Sequence, residues 1–178
     1  PHIPFPSEYR PVLVDLDIKY ADNRKEGFGY QEIATMGLQY AKILSKYTKQ
    51  KHDFTVLAGG VKPYKNTGQS KQGIHIIFKG ILVHAGLAHQ VRNEWHEEYK
   101  ELMEACQVSN VNDIIDDKVV PFTKTCVRIA PGVKHVQEKP YVPVVVVEDG
   151  LLLWPGIDAL WNLVDKTDEE RILYLRKN

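Results

Sequence analysis

Val12-Leu13-Val14-Asp15-Leu16-Asp17-Ile18 is a short apolar run that carries two acids at alternate positions. Its β-branched and aliphatic residues predict a buried strand. Side chains at i and i+2 of a strand share a face. Asp15 and Asp17 therefore stand together, while Val14, Leu16 and Ile18 point the other way. Two like charges so close on a buried strand are costly. A bound divalent cation removes that cost and keeps both carboxylates ionised. The plainer reading makes one Asp a strand cap and leaves the other in solvent.

The flanking chain supplies partners for this strand. Residues 1–10 hold Pro1, Pro4 and Pro6 and read as an extended lead-in; residues 19–29 read as a polar loop. From Tyr30 to Lys49, apolar residues recur at Ile33, Met36, Tyr40, Ile43, Leu44 and Tyr47, which is helical spacing. Asp53–Ala58 predicts a strand that Gly59-Gly60 ends. Residues 61–72 are polar and partly basic and predict a mobile loop. Gly73-Ile74-His75-Ile76-Ile77-Phe78 predicts the next strand, with Gly73, His75 and Ile77 on one face and Ile74, Ile76 and Phe78 on the other.

A helix is expected from about His84 to Gln107, with Leu87, Val91, Trp95, Tyr99, Leu102 and Cys106 inward and a solvated acidic face outward. His84, His89 and His96 lack the i, i+4 spacing of a helical metal pair and read as surface residues. Tyr141–Val147 and Leu151–Trp154 flank Glu148-Asp149-Gly150, a hairpin signal. Residues 157–177 look mostly helical. The order of elements gives an α/β (α+β) fold, a split βαβ sheet flanked by helices with a C-terminal hairpin.

At 178 residues the chain reads as a single domain, residues 1–178. Lys plus Arg and Asp plus Glu both number 23, so a uniformly basic, nucleic-acid-coating surface is excluded and only a local basic cleft remains open. Cys106 and Cys126 form no zinc pattern and fit a reducing, intracellular compartment. No apolar run spans a membrane and no secretory signal is present. No GxxxxGK[ST] loop occurs, so the chain encodes no ATP-driven motor.

Three items can converge on one chemistry. Asp15 and Asp17 lie on one strand, His75 on another, and Asp116 or Asp117 begins a third extended segment. Carboxylates from sheet strands make a hard-oxygen site, which suits Mg²⁺ or Mn²⁺ better than zinc. Two such ions, about 3.5–4 Å apart, clamp the attacking and leaving oxygens of phosphoryl transfer. Lys71, Arg128 and Lys134 are the candidates to hold phosphates. Taken singly, His75 reads equally as a core histidine and Asp116-Asp117 equally as a helix or turn cap, while Lys71 reads as a solvated side chain.

Together these motifs resemble the archaeo-eukaryotic primases, a superfamily that includes primase-polymerases and the primase domains of large DNA viruses. The acidic-pair motif is Leu13-Val14-Asp15-Leu16-Asp17. The small-residue–x–His motif is Gly73-Ile74-His75. The hydrophobic–Asp motif is Ile115-Asp116-Asp117-Lys118-Val119-Val120, which leads to Arg128 and Lys134. The resemblance covers roughly residues 8–135 and is nearest to the primase domain of viral primase–helicases.

It implies a primase fold with an RRM-like split βαβ sheet. It also implies two Mg²⁺ or Mn²⁺ ions on Asp15, Asp17 and Asp116, the motif frame favouring Asp116 over Asp117. Nucleotide phosphates would be held by Lys71, His75, Arg128 and Lys134 around Gly73. The implied partners are nucleoside triphosphates, a single-stranded DNA template and a helicase further along a longer chain, and a viral member would work in the host cytoplasm. Two departures stand out. Gly73 replaces the Ser of many relatives, and Val119-Val120 stand where many carry Tyr. The rival readings are a haloacid-dehalogenase-type phosphatase, whose nucleophile also lies in Asp-x-Asp on a strand, and a non-catalytic RRM-like nucleic-acid-binding module, which predicts aromatic residues on the sheet face.

Overall fold

The computed structural model describes residues 9–115, 141–149 and 151–154. The acidic strand is the centre of β1 (Tyr9–Tyr20), longer than its apolar run because its inward side alternates unbroken through Val12, Val14, Leu16, Ile18 and Tyr20. Then follow α1 (Tyr30–Thr48), β2 (Phe54–Ala58), β3 (Lys62–Tyr64), β4 (Gln69–His84), α2 (Ala85–Ala105), a single 3₁₀ turn (Val111–Asp113), β5 (Val142–Glu148) and β6 (Leu151–Trp154). The sheet runs β1-β4-β2-β5-β6, with β3 beside the start of β4, and every described pairing is antiparallel. Since β1 and β2 both run antiparallel to the β4 between them, β1–α1–β2 is a split βαβ unit. The parallel βα succession of a haloacid-dehalogenase-type phosphatase is not present among the described residues.

The core lies between one sheet face and the two helices. Val14, Leu16 and Ile18 meet Val56, Ile74 and Ile76 there, each at most 2% exposed. Burying such a side chain contributes about 1.5–3 kcal/mol. α1 sits close on β2: a Cβ at Gly37 would overlap the Val56 side chain. α2 crosses beside α1, where the buried Trp95 donates from Nε1 to the Met36 carbonyl at 3.0 Å. Glu94 on the outer side of α2 is not merely solvated, since it accepts from Lys46 Nζ at 2.8 Å and from the Tyr47 hydroxyl at 2.6 Å.

Several expectations need correction. Residues 61–72 are not a mobile loop: Lys62–Tyr64 and Gln69–Lys71 pair as a hairpin. β4 runs 16 residues rather than six. Its first inward positions are polar, so the alternation was hidden, but both are satisfied. Ser70 donates to the Asp22 carbonyl at 2.9 Å, and Gln72 accepts from the Tyr20 hydroxyl at 2.7 Å and from the Phe28 amide at 3.0 Å. On α2, Met103 is buried, one turn beyond Tyr99, and Leu102 is exposed. His84 caps that helix, accepting from the Gly86 amide at 3.1 Å, and His96 bonds the Val111 carbonyl at 2.8 Å. The expectations for residues 1–8, for Gly150 and for a helix over 157–177 lie outside the described residues, and no described helix is long and apolar enough to cross a membrane.

Candidate functional site

The sheet face away from the helices carries the predicted polar residues in rows set by register. Asp15 is paired with His75, Asp17 with Gly73, and Lys19 with Lys71. Directly paired residues share a face, so the Asp15–Asp17 side is also the His75 side. Five of the eight predicted site residues, Asp15, Asp17, Lys71, Gly73 and His75, therefore stand together. Asp116, Arg128 and Lys134 lie outside the described residues.

The free edge of β1 is closed by the chain that leads to Asp116. Asp17 donates its amide to the Ile114 carbonyl at 2.8 Å, Ser109 to the Lys19 carbonyl at 2.7 Å, and Ile115 bridges Leu16. Asn110 fastens the same edge twice, accepting from the Lys19 amide at 2.9 Å and donating to the Asp17 carbonyl at 2.7 Å. The backbone beneath the acids is thus held on both sides.

The two carboxylates are about a quarter exposed and each has a cationic or potentially cationic neighbour. Lys71 forms an ion pair with Asp17. His75 Nε2 stands 3.4 Å from Asp15 Oδ1. The imidazole is buried, and its Nδ1 has no hydrogen-bond partner among the described residues. A proton on Nδ1 would bury an unpaired donor, and a bare Nε2 would aim a lone pair at a carboxylate. The tautomer consistent with both is Nε2–H, with its donor toward the acids.

Sequence reasoning missed Tyr141. Its ring stacks on His75 with centroids 4.2 Å apart and planes 11° from parallel. It reaches there across Gly73 of β4 and Gly59, the residue after β2, whose backbones are joined by a 2.8 Å bond from the Gly59 amide to the Gly73 carbonyl. A Cβ at Gly59 would stand 3.3 Å from Tyr141 Cζ, and one at Gly73 would overlap the Tyr141 hydroxyl. Gly73, read as lacking a serine hydroxyl, is thus the floor for a tyrosine hydroxyl. The available signal was two glycines, one just past β2 and one within β4, which leave room for something flat. Tyr64 was missed as well. With Tyr141 it puts aromatic rings on the face that carries the acids and the histidine.

As a donor set, Asp15 and Asp17 fit a divalent cation: hard carboxylate oxygens, side by side on one strand face and reachable from solvent. They supply two ligands, and no group of three His, Cys, Asp or Glu side chains able to hold an ion occurs among the described residues. The antiparallel sheet with its split βαβ unit, flanked by helices, is consistent with the primase fold that the resemblance implies. No curated protein matches the chain. A family model, that of the C962R protein N-terminal AEP domain, matches residues 5–143 and so takes in the acid pair, the Gly-x-His strand, Tyr141 and the segment between. On that match the chain belongs to the C962R N-terminal family of archaeo-eukaryotic primase domains.

Proposed function

We propose that this chain is the catalytic domain of a DNA primase or primase-polymerase that joins nucleotides on a single-stranded DNA template. The observation that carries the reading is the row geometry. Asp15 and Asp17 share one open sheet face with His75 directly across from Asp15, inside the span that matches the primase family.

The third acid of the proposal is Asp116. Its neighbour Ile115, the last described residue before it, bridges Leu16 in antiparallel register on the edge of β1. Asp15, Asp17 and Asp116 would hold two Mg²⁺ or Mn²⁺ ions, which when bound supply Lewis-acid charge at the attacking and leaving oxygens. The chain's own residues do the rest. Lys71, paired with Asp17 in this structure, exchanges that carboxylate for a phosphate oxygen of the incoming nucleotide. His75 donates from Nε2 to another, held in place by the Tyr141 ring. Arg128 and Lys134 complete the phosphate grip in this reading. A helicase further along the full-length protein would supply the template.

The test is primer synthesis on unprimed single-stranded DNA with labelled nucleotides and Mn²⁺ or Mg²⁺. Asp15→Asn with Asp17→Asn is expected to abolish nucleotide addition while the fold survives. Both acids are about a quarter exposed, so the stability change stays within about 1 kcal/mol. A folded double variant with full polymerising activity would refute the assignment.

A further inference from the structure

Three lysines stand in a row across the open face. Lys19 on β1 is paired with Lys71 on β4, and Lys71 is paired on its other side with Lys62 on β3. Like charges placed directly across strands repel, so the row is an arrangement the fold alone does not favour. It follows the Asp17–Gly73 row along the same face. Tyr64, two residues beyond Lys62, lies on that face too. Its ring centroid is 5.1 Å from Lys19 Nζ, 5.2 Å from Lys65 Nζ and 6.0 Å from Lys71 Nζ. Lys65 reaches the ring from the β3–β4 turn, where it takes left-handed backbone at φ 52°. A non-glycine residue held there marks a turn whose shape is imposed.

We propose that Lys19, Lys62 and Lys65 with the Tyr64 ring, beside Lys71, form a binding site for single-stranded nucleic acid, these three lysines on its phosphates and the ring beneath a base. The proposal rests on the polymerising reading, since it puts the strand next to the acids. Two strand spacings make the row about 9–10 Å long. A line of cations beside an aromatic platform is the chemistry that holds a single strand regardless of sequence. A nucleoside triphosphate gathers its charge in one compact group and needs only Lys71 of the row. The zero net charge of the chain is no obstacle, because the attraction is local.

The test is anisotropy of a labelled single-stranded oligodeoxynucleotide against the 178-residue chain at several salt concentrations, with chelator present. Lys71 is left intact because the reaction uses it. Lys19→Gln, Lys62→Gln and Lys65→Gln together should weaken binding more than tenfold at low salt. They should also flatten the log–log salt slope by about 2, since each phosphate neutralised on a single strand contributes roughly 0.7. Tyr64→Ala should weaken binding about five- to a hundredfold with the slope unchanged, and Tyr64→Phe should bind like the parent.

Triphosphate affinity in Mn²⁺ should stay the same in all of these variants. Unchanged strand affinity and slope in the triple variant overturns the proposal. So does a triple variant that loses triphosphate but keeps the strand, which would give the row to the nucleotide. A parent chain that binds no strand overturns it as well. The polymerising reading is tested apart from it, by whether triphosphate binding requires Asp15 and Asp17.

Discussion

Gly73→Ala should change sign with its surroundings. A methyl group on Gly73 overlaps the Tyr141 hydroxyl and stands 2.9 Å from Cζ, so the ring has to leave its place over β4. The loss comprises the stack on His75, about 0.5–1.5 kcal/mol beyond area burial, and the strain of any partial accommodation; overpacking of this kind costs about 1–3 kcal/mol. In a Tyr141→Ala background the obstacle is gone. Gly73 lies mid-strand with no left-handed backbone to preserve, and alanine is there better than glycine by about 0.5–1 kcal/mol. Gly73→Ala should then destabilise the parent by about 1–3 kcal/mol and be neutral or stabilising beside Tyr141→Ala. Urea unfolding of the four proteins of the cycle measures this. Additivity within about 0.5 kcal/mol would mean that Tyr141 does not rest on Gly73, and the account of the imidazole's fixed pose would fall with it.

His75→Ala should weaken nucleotide affinity about ten- to a hundredfold, the worth of a hydrogen bond to a charged group, while Mn²⁺ still binds the acids. Successive titration of metal and then nucleotide separates the two effects, and an unfolded variant would make His75 a core residue instead. Asp116→Asn should lose activity far more than Asp117→Asn, because the motif frame makes Asp116 the third acid. A dead Asp117→Asn with an active Asp116→Asn would shift the motif frame by one. Burial pushes the Tyr20 hydroxyl up to about 12, against the Phe28 amide bond and the Arg24 charge, which favour the anion. A raised folded value means stability complete below the unfolded value near 10 and lost as pH climbs toward 12, by about 1.4 kcal/mol per pH unit per tyrosine. Tyr30 and Tyr40 are raised by burial in the same direction. Denaturant midpoints between pH 9 and 12 should fall, and fall less steeply in Tyr20→Phe.

β1 and α1 were legible because their patterns are clean: acids at alternate strand positions, and apolar residues at helical spacing. β4 was only half legible. Its inward positions Ser70 and Gln72 are polar, and nothing local shows that Tyr20, Phe28 and the Asp22 carbonyl will satisfy them. Missing that half of the strand turned Lys62 and Lys71 into loop residues and hid the lysine row. The acids and His75 could be found because their spacing is a motif. Tyr141 and Tyr64 could not, since what makes them part of the face is register between strands far apart in sequence. Tyr141 lies 66 residues from the ring it covers.

The same β4 pairs with β1 along one edge and with β2 and β3 along the other, and this bears on how the chain is born. During synthesis β1 emerges before β4, with its apolar side and both edges bare. Its partner residues in β4 follow about 60 positions later, at Gly73 for Asp17 and His75 for Asp15. At translation rates of about 5–20 residues per second, β1 waits roughly 3–12 s for them. In that interval Val12–Ile18 is an unpaired apolar strand, the kind of segment that seeds association between nascent chains. The alternate acids are then the gatekeepers of that strand, since charges interrupting an apolar run oppose its pairing with a copy of itself.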